Sequence, residues 1–508
     1  MGASSAAAAA SSTSPPLYSF PTAFSFEGQE SFTWLYTTGA ILVALLALEQ
    51  TVYRAKKRHL PGDNWTIPII GKFADSMKPT MEGYQKQWDS GVLSAVSVFN
   101  IFIVMASSND YARKILNSPA YAEPCIVHAA RRILGQQNWW VFLTGKEHVD
   151  YRRGLNNLFT RKAIGMYITI QDTVTRKHFK QWREDFASAQ PIMFPARFLN
   201  MDTSLRVFCG NHIPDEATRE ISDKYWDITK ALELVNFPLP LPGTKIYKAI
   251  QARKAAMYWL ELAARKSRIE MANGGEPTCL LDEWVKLIND PTYKGKRDFT
   301  EHEMAMVVLS FLFASQDAMS SGLVYGFQHL VDHPEVFTKV REEQERVRKG
   351  NYENPLTIEL LDEMPYLQAV VKESLRVKPP VLMIPYKATK AFPISDDYTV
   401  PANSMLIPSF YNSLHDPVSS ANANPKNYMV WGAGPHRCIG VEYATMNIML
   451  VLATAAMTFD WEHEITPETD KIACVSLSLH YISPTLITFQ NPADSVSPRP
   501  LPDEVYAA

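Results

Sequence analysis

The sequence predicts a mainly α-helical protein with a smaller β portion (α+β), and three observations support this. A chain of 508 residues, of which 46% are hydrophobic and 20% charged, can bury a large core. Two long apolar runs, Thr300 to Val331 and Val441 to Phe459, have the length and pattern of buried helices. Only short pieces look like strands, among them KPPVLMIPYKATKAFPI at residues 378–394.

Charge and cysteine content exclude several classes of function. The formal net charge of -3, without a basic stripe, argues against nucleic acid as a partner. The five cysteines are scattered and form no C-x-x-C pair, so neither a disulfide framework nor a zinc site is indicated. We interpret four of them as small buried core residues of a protein in a reducing compartment: Cys125, Cys209, Cys279 and Cys474.

The N-terminus has the pattern of a membrane anchor. Residues 1–31 begin with an Ala/Ser-rich stretch and are expected to be disordered. Residues 32–53 contain the uncharged run FTWLYTTGAILVALLAL, and cations follow it, which predicts a transmembrane signal anchor with the rest of the chain in the cytosol. A buried or surface-lying helix is the alternative, and no small-residue cleavage site supports a removed signal peptide. Residues 54–71 supply a basic stretch and a Pro/Gly hinge.

The long helix that starts after Thr300 has an unusual polar centre. Thr300 and Glu303 form a capping-box pattern at its start. The stretch FLFASQDAMSSG then places Asp317 and Ser320, with other polar residues, inside an apolar helix, where an unpaired carboxylate is costly to bury. Two explanations stay open at this point: a wet face or helix-helix hydrogen bonds, or a functional site.

A third helix, PYLQAVVKESLR, carries Glu373 and Arg376 three residues apart, so that their side chains can pair. The same spacing recurs at Glu216/Arg219, Glu343/Arg346 and Glu345/Arg348, which we interpret as solvated surface pairs. The apolar setting of Glu373 and Arg376 predicts a buried pair instead. Such a pair would fix the geometry of a neighbouring loop.

Cys438, in MVWGAGPHRCIGVEYA, differs from the other cysteines. Gly434 and Gly440 permit the backbone conformations and close approach that let a loop wrap the sulfur. The N-terminus of the following buried helix directs its dipole at the thiol, which favours thiolate. A buried thiolate in an apolar pocket suits haem iron better than zinc.

These motifs resemble those of the cytochrome P450 family of haem-thiolate monooxygenases. Residues Trp431 to Gly440 match F-x-x-G-x-[RH]-x-C-x-G except at the first aromatic, Glu373 and Arg376 match E-x-x-R, and ASQDA and HVDYR match two further family motifs. The resemblance implies the P450 fold, with a long distal helix over a buried haem, in a catalytic domain at 72–492 followed by a tail at 493–508.

Within that family, the stretches ALELVNFPLPLPGTKIYKA, FLFASQDA, GKEHVDYRRGLN and GAGPHRCIG are similar to the fungal sterol C-22 desaturases. This resemblance implies an oxidoreductase of ergosterol synthesis that introduces the C-22(23) double bond into a sterol side chain. It implies haem b, oxygen, electrons from NADPH through NADPH-cytochrome P450 reductase, and a single-pass location in the endoplasmic reticulum membrane with a cytosolic catalytic domain.

The resemblance also implies roles for individual residues. Cys438 would be the axial ligand of the haem iron, and Asp317, with Ser320 as a substitute hydroxyl, would lead protons to bound oxygen. Residues implied to hold the cofactor are His148, Arg152, His436, Trp431, Gly434, Gly440, Glu373 and Arg376. Residues implied to contact the substrate are Phe311, Ala314, Val381, Leu382, Ile384 and Leu479.

Three departures from the family pattern keep alternatives open. Ala318 stands where most members have a threonine, and Trp431 replaces a phenylalanine. No arginine lies between Arg376 and Arg437, although the family places one there, and Lys426 is the only cation between His415 and Trp431. The alternatives are a haem-poor or catalytically silent sterol-binding relative, and another sterol-oxidising P450.

Overall fold

A computed structural model describes residues 28–72, 80–125, 140–185, 190–231, 240–292, 299–416, 424–464 and 486–490. The chain divides into two units, Met1–Val52 and Tyr53–Ala508. The first helix, α1 (Gly28–Lys57), contains the predicted apolar run and begins before it. Its apolar span is only 6% buried, and basic residues occupy its last turn, as the sequence predicts.

Helices dominate the remainder of the described residues, as the sequence predicts. In chain order they are α2 (Met81–Asp89), α3 (Asn109–Leu116), α4 (Gly145–Asn156), α5 (Arg161–Asp185), α6 (Met193–Cys209), α7 (Asp215–Ala231), α8 (Lys245–Ala272), α9 (Leu280–Asn289), α10 (Glu301–Asp332), α11 (Pro334–Arg348), α12 (Ile358–Asp362), α13 (Pro365–Val377), α14 (Phe410–His415) and α15 (Val441–Thr458).

Among the described residues the strands are short and form three small sheets. They are β1 (Leu93–Val98), β2 (Ile101–Ala106), β3 (Ala122–Pro124), β4 (Gln190–Pro191), β5 (Tyr386–Ala388), β6 (Phe392–Pro393), β7 (Thr399–Val400), β8 (Met405–Pro408), β9 (Asp460–Glu464) and β10 (Leu486–Gln490). The largest sheet has the order β1-β2-β8-β5-β3, in which only the β2/β8 pairing is parallel. The others are β4-β10-β9 and β6-β7.

The central helix α10 organises the main core. Thr300 and Glu303 form the predicted capping box at its start, and the helix packs against α6, α8, α13 and α15. Like α1, both α10 and α15 are long and apolar enough to cross a membrane, but 78% and 67% of their apolar spans are buried inside the protein. Their apolar surface therefore forms the core, which is the reason that both could be predicted from sequence.

The predicted hinge is attached to the large sheet. The carbonyl of Pro61 accepts a hydrogen bond from Ala95 (2.8 Å), and Gly71 pairs with Val98 of β1. Gly62 has a φ of +125°, and a Cβ there would lie 2.1 Å from the carbonyl oxygen of Ala95. Glycine is therefore required at Gly62 for the chain to approach β1 this closely.

The prediction that Glu343 belongs to a solvated surface pair is wrong. Its side chain is only 6% exposed, although that of Arg346, 3.5 Å away, is 62% exposed. The carboxylate instead accepts hydrogen bonds from the backbone N–H groups of Tyr366 (2.9 Å) and Leu367 (2.8 Å) at the start of α13. Glu343 therefore caps the N-terminus of the helix that carries Glu373 and Arg376.

Candidate functional site

Cys438 lies on a tight loop directly before α15. Gly432 and Gly434 adopt positive φ angles of +69° and +70°, which glycine tolerates best. The N–H of Cys438 donates to the carbonyl of Trp431 (2.9 Å), and the N–H of Gly440 donates to the sulfur. The loop thus presents one sulfur atom at the start of a buried helix.

The loop borders a cavity of about 360 Å³ that is lined mainly by apolar side chains. Residues from α4, from α10 and from the segment before β5 complete its walls. Most of the predicted site residues meet here: His148, Arg152, Phe311, Ala314, Asp317, Val381, Ile384, Trp431, His436, Cys438 and Gly440. The structure therefore brings together residues that are up to 292 positions apart, from His148 to Gly440.

Four basic side chains gather at one part of this cavity: His148, Arg152, His436 and Arg437. The rings of His148 and His436 stack with centroids 3.9 Å apart. Burial lowers the pKa of His148, and the charge of Arg152 adds to that effect. Burial, together with His148 and Arg152, lowers the pKa of His436 to about 4. Burial also lowers the pKa of Arg152, with Arg437 acting in the same direction and Cys438 in the other.

This basic cluster fits an anionic ligand. Within the described part of the chain none of the four side chains forms an ion pair, and the buried Nε2 of His148 has no hydrogen-bond partner. A Cβ on Gly440 would meet no atom within 4 Å, so the space beside Gly440 is open. One sulfur ligand, an apolar cavity and unpaired basic groups are the features that a haem with two propionates requires. The residues present therefore fit haem.

The surroundings of Cys438 do not by themselves produce a thiolate. Its side chain is accessible from the cavity but lies deep within the protein. Burial raises the pKa of the Cys438 thiol, while the N–H of Gly440 and the charges of Arg152 and Arg437 act in the opposite direction without cancelling it. Burial therefore opposes the thiolate that the N-terminus of α15 is expected to favour. A bound metal ion would favour the deprotonated sulfur, as is usual for coordinating thiols.

The polar centre of α10 faces α6. The Oγ atoms of Ser315 and Ser204 are 3.1 Å apart, and Gln316 Nε2 donates to the carbonyl of Arg197 (2.9 Å). Ser320 accepts a hydrogen bond from Asn200 Nδ2 (2.9 Å) and is fully buried. Helix-helix hydrogen bonds therefore account for these three polar residues of α10. Ser320 is not among the cavity-lining residues, so its predicted catalytic role has no support from its position.

Asp317 lines the cavity, as Ser315 does, whereas Gln316 and Ser320 do not. Its carboxylate forms an ion pair with the guanidinium of Arg197 from α6. Sequence reasoning missed Arg197, although Arg197, Asn200 and Ser204 recur at helical spacing in α6. That polar stripe, matched to the polar centre of another apolar helix, was the signal for the contact.

Glu373 and Arg376 form a bidentate pair, with N–O distances of 2.7 and 2.8 Å. The prediction that this pair is buried is wrong, because the Glu373 side chain is 61% exposed. Arg376 additionally donates to the carbonyl of Leu414 (3.0 Å). The arginine lowers the pKa of Glu373, and the glutamate raises the pKa of Arg376. Neither residue lines the cavity, so the pair acts on neighbouring backbone.

The predicted substrate contacts divide into three groups. Phe311, Ala314, Val381 and Ile384 line the cavity. Leu382 does not; it is 2% exposed and packs in a separate core with β1, β2 and β8. Leu479 lies outside the described residues.

The remaining cysteines follow the prediction in part. Cys209 and Cys279 are fully buried, as predicted, whereas Cys125 is half-buried and lines the cavity. Cys474 lies outside the described residues. Cys279 lies beside His212 and Asp282, but both oxygens of that carboxylate already accept hydrogen bonds from His212, Ser267 and Thr278. Asp282 is saturated, and this second cluster is structural.

Comparisons with known proteins agree with this geometry. The cytochrome P450 family model matches residues 72–481. The chain is 41% identical to the C-22 sterol desaturase erg5 of Aspergillus fumigatus, over 87% of this chain and 92% of the relative. It is 38% identical to the C-22 sterol desaturase ERG5 of Saccharomyces cerevisiae, over 90% of both chains. The solved structure of retinoic acid bound cyanobacterial CYP120A1 has a TM-score of 0.72 at 20% identity, covering 85% of this chain and 99% of that one. The chain belongs to the cytochrome P450 family.

Proposed function

We propose that this protein is a sterol C-22 desaturase, an oxidoreductase that introduces the C-22(23) double bond in ergosterol synthesis. The observation that carries the proposal is the identity of 41% and 38% with two C-22 sterol desaturases over most of both chains. The largely apolar cavity beside Cys438 suits a sterol, which offers few polar groups for binding. Desaturation removes two hydrogens from neighbouring carbons, and these two hydrogens combine with one oxygen molecule, two electrons and two protons to form two water molecules.

Each residue of the site has a defined task in this proposal. Cys438 binds the haem iron, and His148, Arg152 and His436 bind the propionates. The haem supplies the oxidant that takes hydrogen from an unactivated carbon. Ala314, Val381 and Ile384 hold the sterol side chain in place, because a small displacement of the reacting carbon is costly. Asp317 holds and releases a proton at the cavity wall.

The location and electron supply belong to the same proposal. The exposed apolar span of α1 anchors the chain in the endoplasmic reticulum membrane as a single pass, with the catalytic domain at 72–492 in the cytosol. Residues 1–31 precede the anchor at 32–53, residues 54–71 connect it to the catalytic domain, and 493–508 form a tail. NADPH-cytochrome P450 reductase supplies the electrons.

The test uses the full-length protein in microsomes. We expect the reduced, carbon monoxide-bound protein to absorb at the red-shifted thiolate position, and the Cys438→Ser variant to lose that band. With reductase and NADPH, a sterol with a saturated side chain should gain one double bond, and product analysis locates it at C-22.

Other results would overturn the proposal. A thiolate band with a hydroxylated or demethylated sterol identifies another sterol-oxidising P450. Sterol binding without any thiolate band identifies a catalytically silent sterol-binding protein. The missing arginine between Arg376 and Arg437 favours that alternative.

A further inference from the structure

Three buried polar side chains meet between α15, the helix that follows Cys438, and its neighbours α5 and α6. They are Tyr443, Gln171 and Ser204, which are 3%, 1% and 0% exposed. Burial raises the pKa of Tyr443 to about 12, and the nearby Ser204 and Gln171 oppose that rise. Within the described part of the chain, neither the Tyr443 hydroxyl nor either polar atom of the Gln171 side chain has a hydrogen-bond partner. Polar groups that lie near one another without bonding directly indicate a bridging molecule.

Ser204 offers an acceptor to such a molecule. Its Oγ lies 3.1 Å from that of Ser315 in α10, and Ser315 donates its own proton to the carbonyl of Leu312 (3.3 Å). Ser204 is therefore the donor in the pair of hydroxyls, and its oxygen can still accept. The Gln171 amide brings both donors and an acceptor, so the bridging molecule must donate and accept as well. Water has this property.

Water can reach this place, because Tyr443 and Ser315 line the cavity. Polar groups also continue away from it. Thr175 lies one turn after Gln171 in α5, and Asn447 lies one turn after Tyr443 in α15. Both are fully buried, and their side-chain polar atoms are unpaired among the residues that the structure describes. Native proteins leave few such groups unpaired, and internal water commonly bonds them.

We propose that Gln171, Ser204 and Tyr443 bind a small cluster of internal water molecules, which joins α5 and α6 to the helix behind Cys438. The Tyr443 hydroxyl donates to one water, and that water donates to Ser204 and to the amide oxygen of Gln171. A second water accepts from the amide N–H groups of Gln171. The cluster belongs to the folded protein, so it is present before any sterol binds.

The first experiment counts long-lived internal water by oxygen-17 magnetic relaxation. It uses the full-length protein with its haem, reduced and carbon monoxide-bound, in lipid nanodiscs. We expect the double variant Gln171→Leu with Tyr443→Phe to lose at least one long-lived water. Tyr167→Phe is the matched control: its ring lies 6.2 Å from that of Tyr443, but its hydroxyl donates directly to the carbonyl of Leu158 (2.9 Å). That variant should keep the number of waters unchanged.

The second experiment uses the sign of a stability change. Gln171→Leu alone removes the amide but keeps an apolar side chain at the position. If water bonds the amide, the variant loses those hydrogen bonds, and we expect the thermal unfolding midpoint to fall. If the amide is unpaired, the variant removes an unsatisfied buried group, and the midpoint rises.

Two results would overturn the inference: an unchanged number of long-lived waters in the double variant, or a higher midpoint in Gln171→Leu. If the double variant does not fold, Ser204→Ala replaces it, since it removes one acceptor and little volume; it must then lose water as well. Neither measurement uses a sterol or turnover. Each result therefore stands whether or not the protein is a desaturase.

Discussion

Replacement of Gly434 by alanine should weaken haem binding because it displaces the loop that carries Cys438. Gly434 has a φ of +70°, and a Cβ would lie 2.0 Å from the carbonyl oxygen of Leu116 at the end of α3. The left-handed conformation costs an L-residue about 1 to 2 kcal/mol. Relief of the overlap costs about 1 to 3 kcal/mol more, as in an overpacked core. We expect a total loss of about 2 to 5 kcal/mol in stability.

Gly432 provides the matched control. Its φ is +69°, but a Cβ there would meet no atom within 4 Å. Gly432→Ala should therefore cost only the conformational part, about 1 to 2 kcal/mol. The assay compares haem per protein and the thermal unfolding midpoint of both variants in detergent. Equal losses in the two variants would refute the steric argument and leave the backbone conformation as the sole cause.

Three further predictions concern a contact, the cavity and a buried histidine. Arg376→Lys should lower haem retention in a dilution assay, because lysine cannot keep both bonds to Glu373 and the bond to the Leu414 carbonyl. Full retention would count against a role of Arg376 in fixing the neighbouring loop. Ala314→Phe should fill part of the cavity and weaken sterol binding, followed by the sterol-induced spectral shift, at least tenfold, which corresponds to about 1.4 kcal/mol. Burial lowers the pKa of His329 in the folded state from 6.5 to about 4. Between these two pH values the unfolded state binds the extra proton, so the free energy of unfolding falls as the pH drops. His329→Gln should reduce the slope of the unfolding free energy by up to about 1.4 kcal/mol per pH unit.

Local signals were sufficient to predict two of the helices that form the core, α10 and α15. The capping box at Thr300 marked the start of α10, and the unbroken apolar run after Gly440 marked α15, since both signals depend on neighbouring residues only. The cavity-lining positions of Ala314 and Asp317 followed from motif resemblance. Where a partner is distant in the chain, as Arg197 is from Asp317, one sequence contains only an indirect signal of contact, here the polar stripe of α6.

Burial was the property that sequence reasoning predicted least well. Glu343 was expected to be solvated but caps α13, and Glu373 was expected to be buried but is exposed. Cys125 was expected in the core but lines the cavity. In each case the burial depends on which element packs over the residue. That is decided by tertiary contacts outside the motif.

From the sequence, the missing arginine between Arg376 and Arg437 is an argument for a catalytically silent sterol-binding protein. The structure weakens that argument, because other contacts hold the chain on that side of Cys438. Asn109 of α3 donates to the carbonyls of Ser413 and Asn427, both at 3.2 Å, and Arg113 donates to the Asn427 side chain (3.1 Å). Tyr428 donates to the carbonyl of Lys372 in α13 (2.9 Å). Each hydrogen bond contributes about 1 kcal/mol, so the set is comparable to one charged fork. Contacts from α3 and α13 therefore hold the segment around Asn427 and Tyr428 without that arginine.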